Sequence, residues 1–365
     1  MSTIGATAPS QHTINYDALL STTLFAFRPK MVDNIFKSSG FLALLRSRGA
    51  IEYQNGGERI AQPLMYEKNT TVKSYHGYEQ LDTTPQDGMT TAFYPWCEIG
   101  GTIAISRLEE RQNSGEAAIL KLLEKKIMQT EMSIKESVNT QLICGTVSSG
   151  TFVEGNGMKD MYPLGYFLRK AKATNPTTSN VGNISAATYS WWRHRVGDFG
   201  SGGATGADFN VNVTTRSGLK TYLYRLWNFC SRGGDGSGPD IILSDQVTYE
   251  TYEMALDASK QYINTDMAEL GFDTVRLKGG TMLWDELVPD LHSGTTAITV
   301  GTAFMINSKF YKLVIDEQTD FVTTPFIEPE NQTAKVAKVL FMGNSTVSNL
   351  RKHGVGLNIA QNIVS

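Results

Sequence analysis

The sequence is short of charge. Only 19% of its 365 residues are Asp, Glu, Lys or Arg, against roughly 25% in an average soluble domain. So thinly charged a chain is expected to place much uncharged surface against other protein. Its 33 basic and 36 acidic residues leave a net charge of −3, which excludes attraction of the whole molecule to nucleic acid. Cysteine is also scarce. Cys97, Cys144 and Cys230 lie far apart, which excludes a disulfide framework and argues against a zinc ribbon. No apolar run approaches the roughly 18 residues of a membrane-spanning helix. The polar start MSTIGATAPSQHTINYD lacks the basic and apolar regions of a signal peptide.

The marks of catalysis are missing as well. None of the five histidines (His12, His76, His194, His292, His353) stands at a metal-binding spacing. There is no GxSxG elbow and no GxxxxGK[ST] loop. The run Gly233 to Gly238 is glycine-rich but follows a helix and precedes a strand. That reverses the order that aims backbone amides at a phosphate, so it reads as a mobile surface loop. Asp240 and Asp245 bracket a strand at a spacing that puts them on opposite faces, and Asp245 reads as a helix cap. Trp191-Trp192-Arg193-His194-Arg195 could stack a single strand of nucleic acid but reads better as a patch packed on a neighbouring domain or subunit. Arg351-Lys352-His353 is a short basic cluster that could touch phosphates, a weak signal in a nearly neutral chain.

What the sequence does carry is an order of pieces. Residues 1–28 read as a polar arm. Pro29 then suits a first helical turn, with Met31, Val32, Ile35 and Phe36 at helical spacing. Residues 50–106 read as one long β-hairpin. One arm runs from Arg59 toward Tyr75 and the other from Met89 through Ile105, with the turn-rich Asp82–Gly88 between them. An arm of about 15 residues at about 3.3 Å each spans roughly 50 Å, whereas a globule of this size has a radius of gyration of only about 21 Å. The polar middle of the hairpin favours projection from the body. Residues 113–143 predict a long helix, opened by Asn113 and Glu116 at capping-box spacing. Leu120, Leu123, Ile127, Ile134 and Val138 form its apolar stripe, and Gly145 is its stop. An α+β region with glycine-rich loops at 197–206 and 233–238 follows, containing a helix at 219–229 and strands at 239–245, 272–277, 281–284, 303–306 and 311–315. Strands at 334–342 and 347–359 close the chain.

This order resembles the major capsid protein of tailed bacteriophages, with its Hong Kong 97 type shell fold. Arg59–Ile105 resembles that family's extended loop and Glu116–Ile143 its spine helix. Asp240–Leu256 is similar to a strand, cap and helix of its axial domain. Phe321-Val322-Thr323-Thr324-Pro325-Phe326 followed by Asn331–Ala337 resembles the run into its last peripheral strands, and Tyr189-Ser190-Trp191-Trp192-Arg193 looks like a stretch seen in such proteins. The resemblance implies an α+β fold divided into an N-terminal arm (1–49), an extended loop (50–106), a spine helix in a peripheral domain (107–145), an axial domain (146–320) and returning peripheral strands (321–365).

The resemblance further implies a structural subunit and no enzyme, with no catalytic residue, cofactor or metal. Copies would form the hexamers and pentamers of an icosahedral virion shell around double-stranded DNA, assembled in the host cytoplasm without a membrane. Some members carry a charged helical leader that scaffolds assembly. Only the weakly charged residues 1–28 stand here, so a separate scaffolding protein, beside a portal, is expected unless a leader was removed. The expected contacts between subunits are Tyr66, Tyr75, Tyr78 and Leu81 on the hairpin, Phe25 and Phe27 in the arm, and Trp191 and Trp192. Some members also cross-link lysine to asparagine. Lys68, Lys73, Asn344 and Asn349 show no constellation for that reaction. Alternatives are an encapsulin-like compartment, a tail or baseplate protein, or a hydrolase or transferase with its site in 146–320.

Overall fold

The computed structural model describes residues 40–112, 122–148, 151–153, 159–169, 180–200, 206–233, 235–256, 275–288, 301–330, 333–359 and 363. The expected arm, the Pro29 helix, Asn113, Glu116 and Leu120 lie outside them. The described chain opens with helix α1 (Gly40–Ser47), whose Phe41, Leu44 and Leu45 are buried. Strand β1 (Ile51–Gln54) follows.

Strands β2 (Ile60–Met65) and β3 (Met89–Tyr94) pair antiparallel, Ile60 opposite Tyr94 and Met65 opposite Met89. The hairpin is therefore much shorter than the sequence predicts. Its second arm does not continue through Ile99, Ile103 and Ile105. These belong to β4 (Cys97–Ser106), which pairs over its whole length with β15 (Ala334–Val347) in a different sheet. The alternation of β4 is genuine, but alternation says nothing about which strand lies alongside.

That second sheet holds five strands. Along β15 lie β4 on one side and β14 (Val322–Thr323) and β13 (Tyr311–Asp316) on the other, with β1 parallel to β13 at the edge. After β4 come a short helix, α2 (Arg107–Gln112), and then the long helix α3 (Leu122–Ile143). The 22 residues of α3 make about 33 Å at 1.5 Å per residue. Ile134, Val138 and Leu142 are buried and Ile127 is packed at the margin, so the expected stripe faces the sheet. The helix lies so close to β4 that a Cβ on Gly101 would overlap Thr130. Gly145 ends α3 as expected. At φ +55 it donates to the carbonyl of Thr140 at 3.0 Å, a left-handed cap that suits glycine. The paired strands β5 (Thr146–Ser148) and β6 (Thr151–Val153) and a short helix, α4 (Leu164–Phe167), follow.

The other large sheet has seven strands in the order β10 (Val275–Leu277), β11 (Gly280–Trp284), β9 (Ile241–Ser244), β12 (Thr302–Ile306), β16 (Gly354–Leu357), β7 (Arg195–Asp198) and β8 (Phe209–Asn210). It is buried on both faces. Leu243, Phe304, Ile306 and Leu283 join one core with Trp192, Val355 and the five-stranded sheet. Their strand neighbours Ile242, Ala303, Met305 and Met282 join a second core, under helices α5 (Arg216–Ser231) and α6 (Gln246–Ala255). Burial on two faces is why these strands are uninterrupted apolar runs.

Several expectations change in detail. A boundary at 320 does not separate the sheets, because β13 belongs with β15 while β16, from the closing stretch, sits inside the seven-stranded sheet. Residues 347–359 are not one strand: a 3-10 turn at Leu350–Lys352 interrupts them. Gly197 is no loop residue. It lies buried in β7 against the ring of Phe209. Asp245 does stand at the N-cap position, yet its Oδ1 accepts from Thr302 N at 3.1 Å rather than from the helix. The glycine-rich stretch around Asp235 is pinned. Ser237 O accepts from the buried Lys352 Nζ at 3.1 Å, and Asn307 Nδ2 donates to Ser237 Oγ and Gly238 O, both at 3.0 Å.

Candidate assembly surfaces

Between β2 and β3 the chain from Tyr66 to Gly88 forms no strand, and residues 67–87 are exposed except for the half-covered Thr71. Composition explains the shape. Asn69 Oδ1 accepts from Thr71 N at 2.8 Å and Asp82 Oδ1 from Thr84 N at 2.9 Å, two turns in which a side chain takes the place of a backbone partner. The neck closes through Tyr66 N to Gly88 O at 3.0 Å and Thr70 Oγ1 to Gln86 Oε1 at 2.8 Å. Among the described residues, every hydrogen bond of 67–87 stays within Tyr66–Gly88. The loop thus projects, as expected, though as a loop on a short ladder rather than as two long strands.

Its surface is apolar for something so bare. Tyr78 is fully exposed, Val72 is 80% exposed, Tyr75 61% and Leu81 51%, and Met65, Met89 and Phe93 flank them at the neck. Single exposed apolar residues are ordinary, but a cluster of this kind marks an interaction surface. Met65, Met89 and Phe93 were not singled out from the sequence. Their signal was present in the alternation of β2 and β3, where Ile60, Leu64, Ala92 and Tyr94 point inward and these three outward.

The base of the loop is fixed. The buried Tyr94 donates its hydroxyl to Val347 O at 2.7 Å, and burial pushes that phenol well above its usual range. Phe93 N donates to Gly182 O at 3.2 Å and Trp96 Nε1 to Gly57 O at 2.9 Å. Tyr66 stacks on Trp191 with ring centroids 5.2 Å apart and planes 16° from parallel.

The expected contact residues therefore divide. Tyr75, Tyr78 and Leu81 are exposed, covered by none of the described residues. Tyr66 and the half-exposed Trp191 are engaged with each other at the root of the loop. Trp192 is corrected to a core residue: it is 1% exposed and donates from Nε1 to Val181 O at 3.1 Å. Phe25 and Phe27 lie outside the described residues.

The sites weighed for chemistry are occupied structurally. Asp240 accepts from Ser308 N at 2.7 Å and from the Ser308 hydroxyl, fastening the start of β9 to the turn before β13. Asp245 is pushed upward by burial, against the opposing hydrogen bonds. Asn344 is buried and fully used: its Nδ2 donates to Pro95 O at 2.8 Å and its Oδ1 accepts from Tyr162 N and Ser345 N. Asn349 caps Arg351 N at 3.2 Å. Among the described residues no three His, Cys, Asp or Glu side chains stand together to hold a metal, and no helix is long and apolar enough to cross a membrane.

No family model matches the sequence, and no curated protein matches it. Solved structures do match the fold. A capsid protein of cyanophage A-1(L) is 13% identical, with a TM-score of 0.62 over 93% of this chain and 98% of that one. A subunit of a native GTA particle capsid is 12% identical, with a TM-score of 0.53 over 96% and 98%. The SrpI encapsulin of Synechococcus elongatus is 9% identical, with a TM-score of 0.54 over 96% and 98%. The likeness runs through nearly the whole of both chains in each pair. With its projecting loop, long helix laid on a five-stranded sheet and separate seven-stranded sheet, this chain has the Hong Kong 97 type fold of phage capsid proteins.

Proposed function

We propose that the protein is the structural subunit of a tailed-phage head, building an icosahedral shell of hexamers and pentamers around double-stranded DNA. The observation that carries this reading is the projecting Tyr66–Gly88 loop. Among the described residues its 67–87 stretch hydrogen-bonds only within Tyr66–Gly88, and it displays Val72, Tyr75, Tyr78 and Leu81. Those side chains gain nothing in the free subunit, whereas covering them on a neighbour would contribute about 25 cal/mol per Å² removed from water. In this reading the subunit performs no catalysis, and scaffolding and portal proteins come from other chains. Residues 1–49 serve as an arm, α3 as the spine, the five-stranded sheet as the peripheral domain and the seven-stranded sheet as the axial one. Assembly takes place in the host cytoplasm, and the finished protein resides in the virion.

The test is to replace residues 67–87 by a short Gly-Ser turn. Circular dichroism and the unfolding midpoint should stay close to those of the native chain, while electron microscopy should find closed particles only with the native chain. Closed particles from the shortened chain would overturn the role given to the loop. A compact monomer at every concentration from the native chain would overturn the shell itself. The encapsulin likeness favours a second reading, a compartment that encloses protein, and nuclease-protected DNA against protein cargo inside purified particles separates the two.

A further inference from the structure

Away from the loop tip, three arginines from two stretches of the chain line one small cavity. It holds about 250 Å³ and is lined by Ser190, Trp191, Arg193, Arg195 and Arg351. Arg193 follows the short 3-10 turn Ser190–Trp192, and its guanidinium is held by two carbonyls: Nε donates to Ala186 O at 2.7 Å and Nη2 to Ala187 O at 2.9 Å. Arg195 opens β7 and pairs through Nη1 with Asp208 at 3.1 Å, while its buried Nε has no partner among the described residues. Arg351 sits exposed on the other 3-10 turn, its backbone N–H taken by Asn349. Among the described residues no carboxylate lines the cavity, and Asp208 pairs with Arg195.

Three arginines line this one cavity; backbone carbonyls hold the guanidinium of Arg193 and the Asp208 carboxylate holds that of Arg195. Such an arrangement is favourable once an anion sits between them. All three are arginine, whose planar forks present several donors at fixed angles. Arg193 and Arg195 come from one run of chain and Arg351 from another, so an anion that satisfies them must accept from more than one side. A carboxylate is planar and is saturated by one fork. A phosphate group presents oxygens around a tetrahedron and suits donors converging from different sides.

We infer that this cavity is a phosphate-binding site, and that the group it takes is a backbone phosphate of a nucleic acid strand, with free phosphate as the other source of the same chemistry. The site needs no assembled shell, so it stands or falls apart from the reading above. It also gives Arg193, Arg195 and Arg351 a role that the loop does not.

The experiment uses the full chain, unassembled, and follows the fluorescence anisotropy of a short labelled single-stranded oligonucleotide. The expected result is binding that weakens steeply with salt. Arg351→Gln should weaken it about tenfold, the worth of one charge-assisted hydrogen bond. Arg276→Gln is the control. Arg276 is exposed on β10, at the opposite end of the seven-stranded sheet from β7, and this change should leave binding as it was. Equal binding by native and Arg351→Gln protein would overturn the site, as would equal losses in both variants. Poly-glutamate competing as well as the oligonucleotide would overturn it in favour of an acidic protein partner. Protection against thermal unfolding by inorganic phosphate, lost in Arg351→Gln and without oligonucleotide binding, would uphold the phosphate site and assign it to free phosphate.

Discussion

The seven-stranded sheet and the Tyr66–Gly88 loop solve opposite problems with the same kinds of residue. In the sheet, Ile242 and Leu243 on β9 face two different cores, so each apolar side chain is covered by its own molecule. In the loop, Val72, Tyr75, Tyr78 and Leu81 are as apolar and remain in water. The sheet therefore carries the stability of the isolated subunit. The loop carries almost none of it, and its apolar surface is left uncovered by the described residues.

That contrast can be pressed hardest at Phe304, which lies in the middle of the sheet, opposite Leu243 on one side and Val355 on the other. Phe304→Ala should cost about 3–5 kcal/mol through lost burial and the cavity left behind, read as a lowered midpoint in urea unfolding.

Acid is the next largest lever, and it acts where the sheet meets the rest of the core. His353 is buried. Its Nδ1 accepts from Asn307 N at 3.2 Å, its Nε2 has no partner among the described residues, and the ring of Tyr311 and the buried His194 are close by. Burial, helped by His194, lowers its pKa from 6.5 to about 3. Between those values only the unfolded chain takes up the proton. Stability should therefore be level above the unfolded value and fall as pH drops below it, by up to about 1.4 kcal/mol per pH unit. Asp235 and Asp316, held low by hydrogen bonds from Lys309 and Thr319, add a loss of the same sign at lower pH. Asp245, held high by burial, works against it. His353→Gln should flatten the profile between pH about 6.5 and about 4. An unchanged profile would show that His353 is not its source.

Smaller again is the join between loop and body. Tyr94→Phe leaves the ring in place but strips Val347 O of its donor, which should cost about 1–3 kcal/mol. At the loop tip, Tyr78→Ser should change monomer stability by no more than about 0.5 kcal/mol while slowing particle formation followed by light scattering. A large fall in the monomer midpoint would mean that Tyr78 is covered within its own chain.

Much of this was legible in the sequence for local reasons. The stripe Ile127, Ile134 and Val138 and the stop at Gly145 are set within a few turns of helix, and the turn-rich Asp82–Gly88 needs no distant partner. The apolar runs at 241–244 and 302–306 show burial on both faces without showing which helices cover them. What the sequence hid was pairing. Cys97–Ser106 alternates as well as Met89–Tyr94 does, and only the partner more than two hundred residues away assigns it to the other sheet. Trp191 and Trp192 are adjacent and chemically alike, but the turn they share sends one ring to Tyr66 and the other into the core. The arginine cavity was half visible in Trp191–Arg195. Its third member, Arg351, arrives only because β16 lies beside β7.

The hydroxyl of Tyr94 makes the loop a lever with its pivot inside the body. Any small rotation at that pivot is multiplied at Tyr78 in proportion to the distance between them, so the aim of the tip is set by the stiffness of the root. A phenol closed off from water, gripping the last residue of the longest strand, is a pivot with little play. The aim of the far end of the loop is thus decided by atoms buried inside the body.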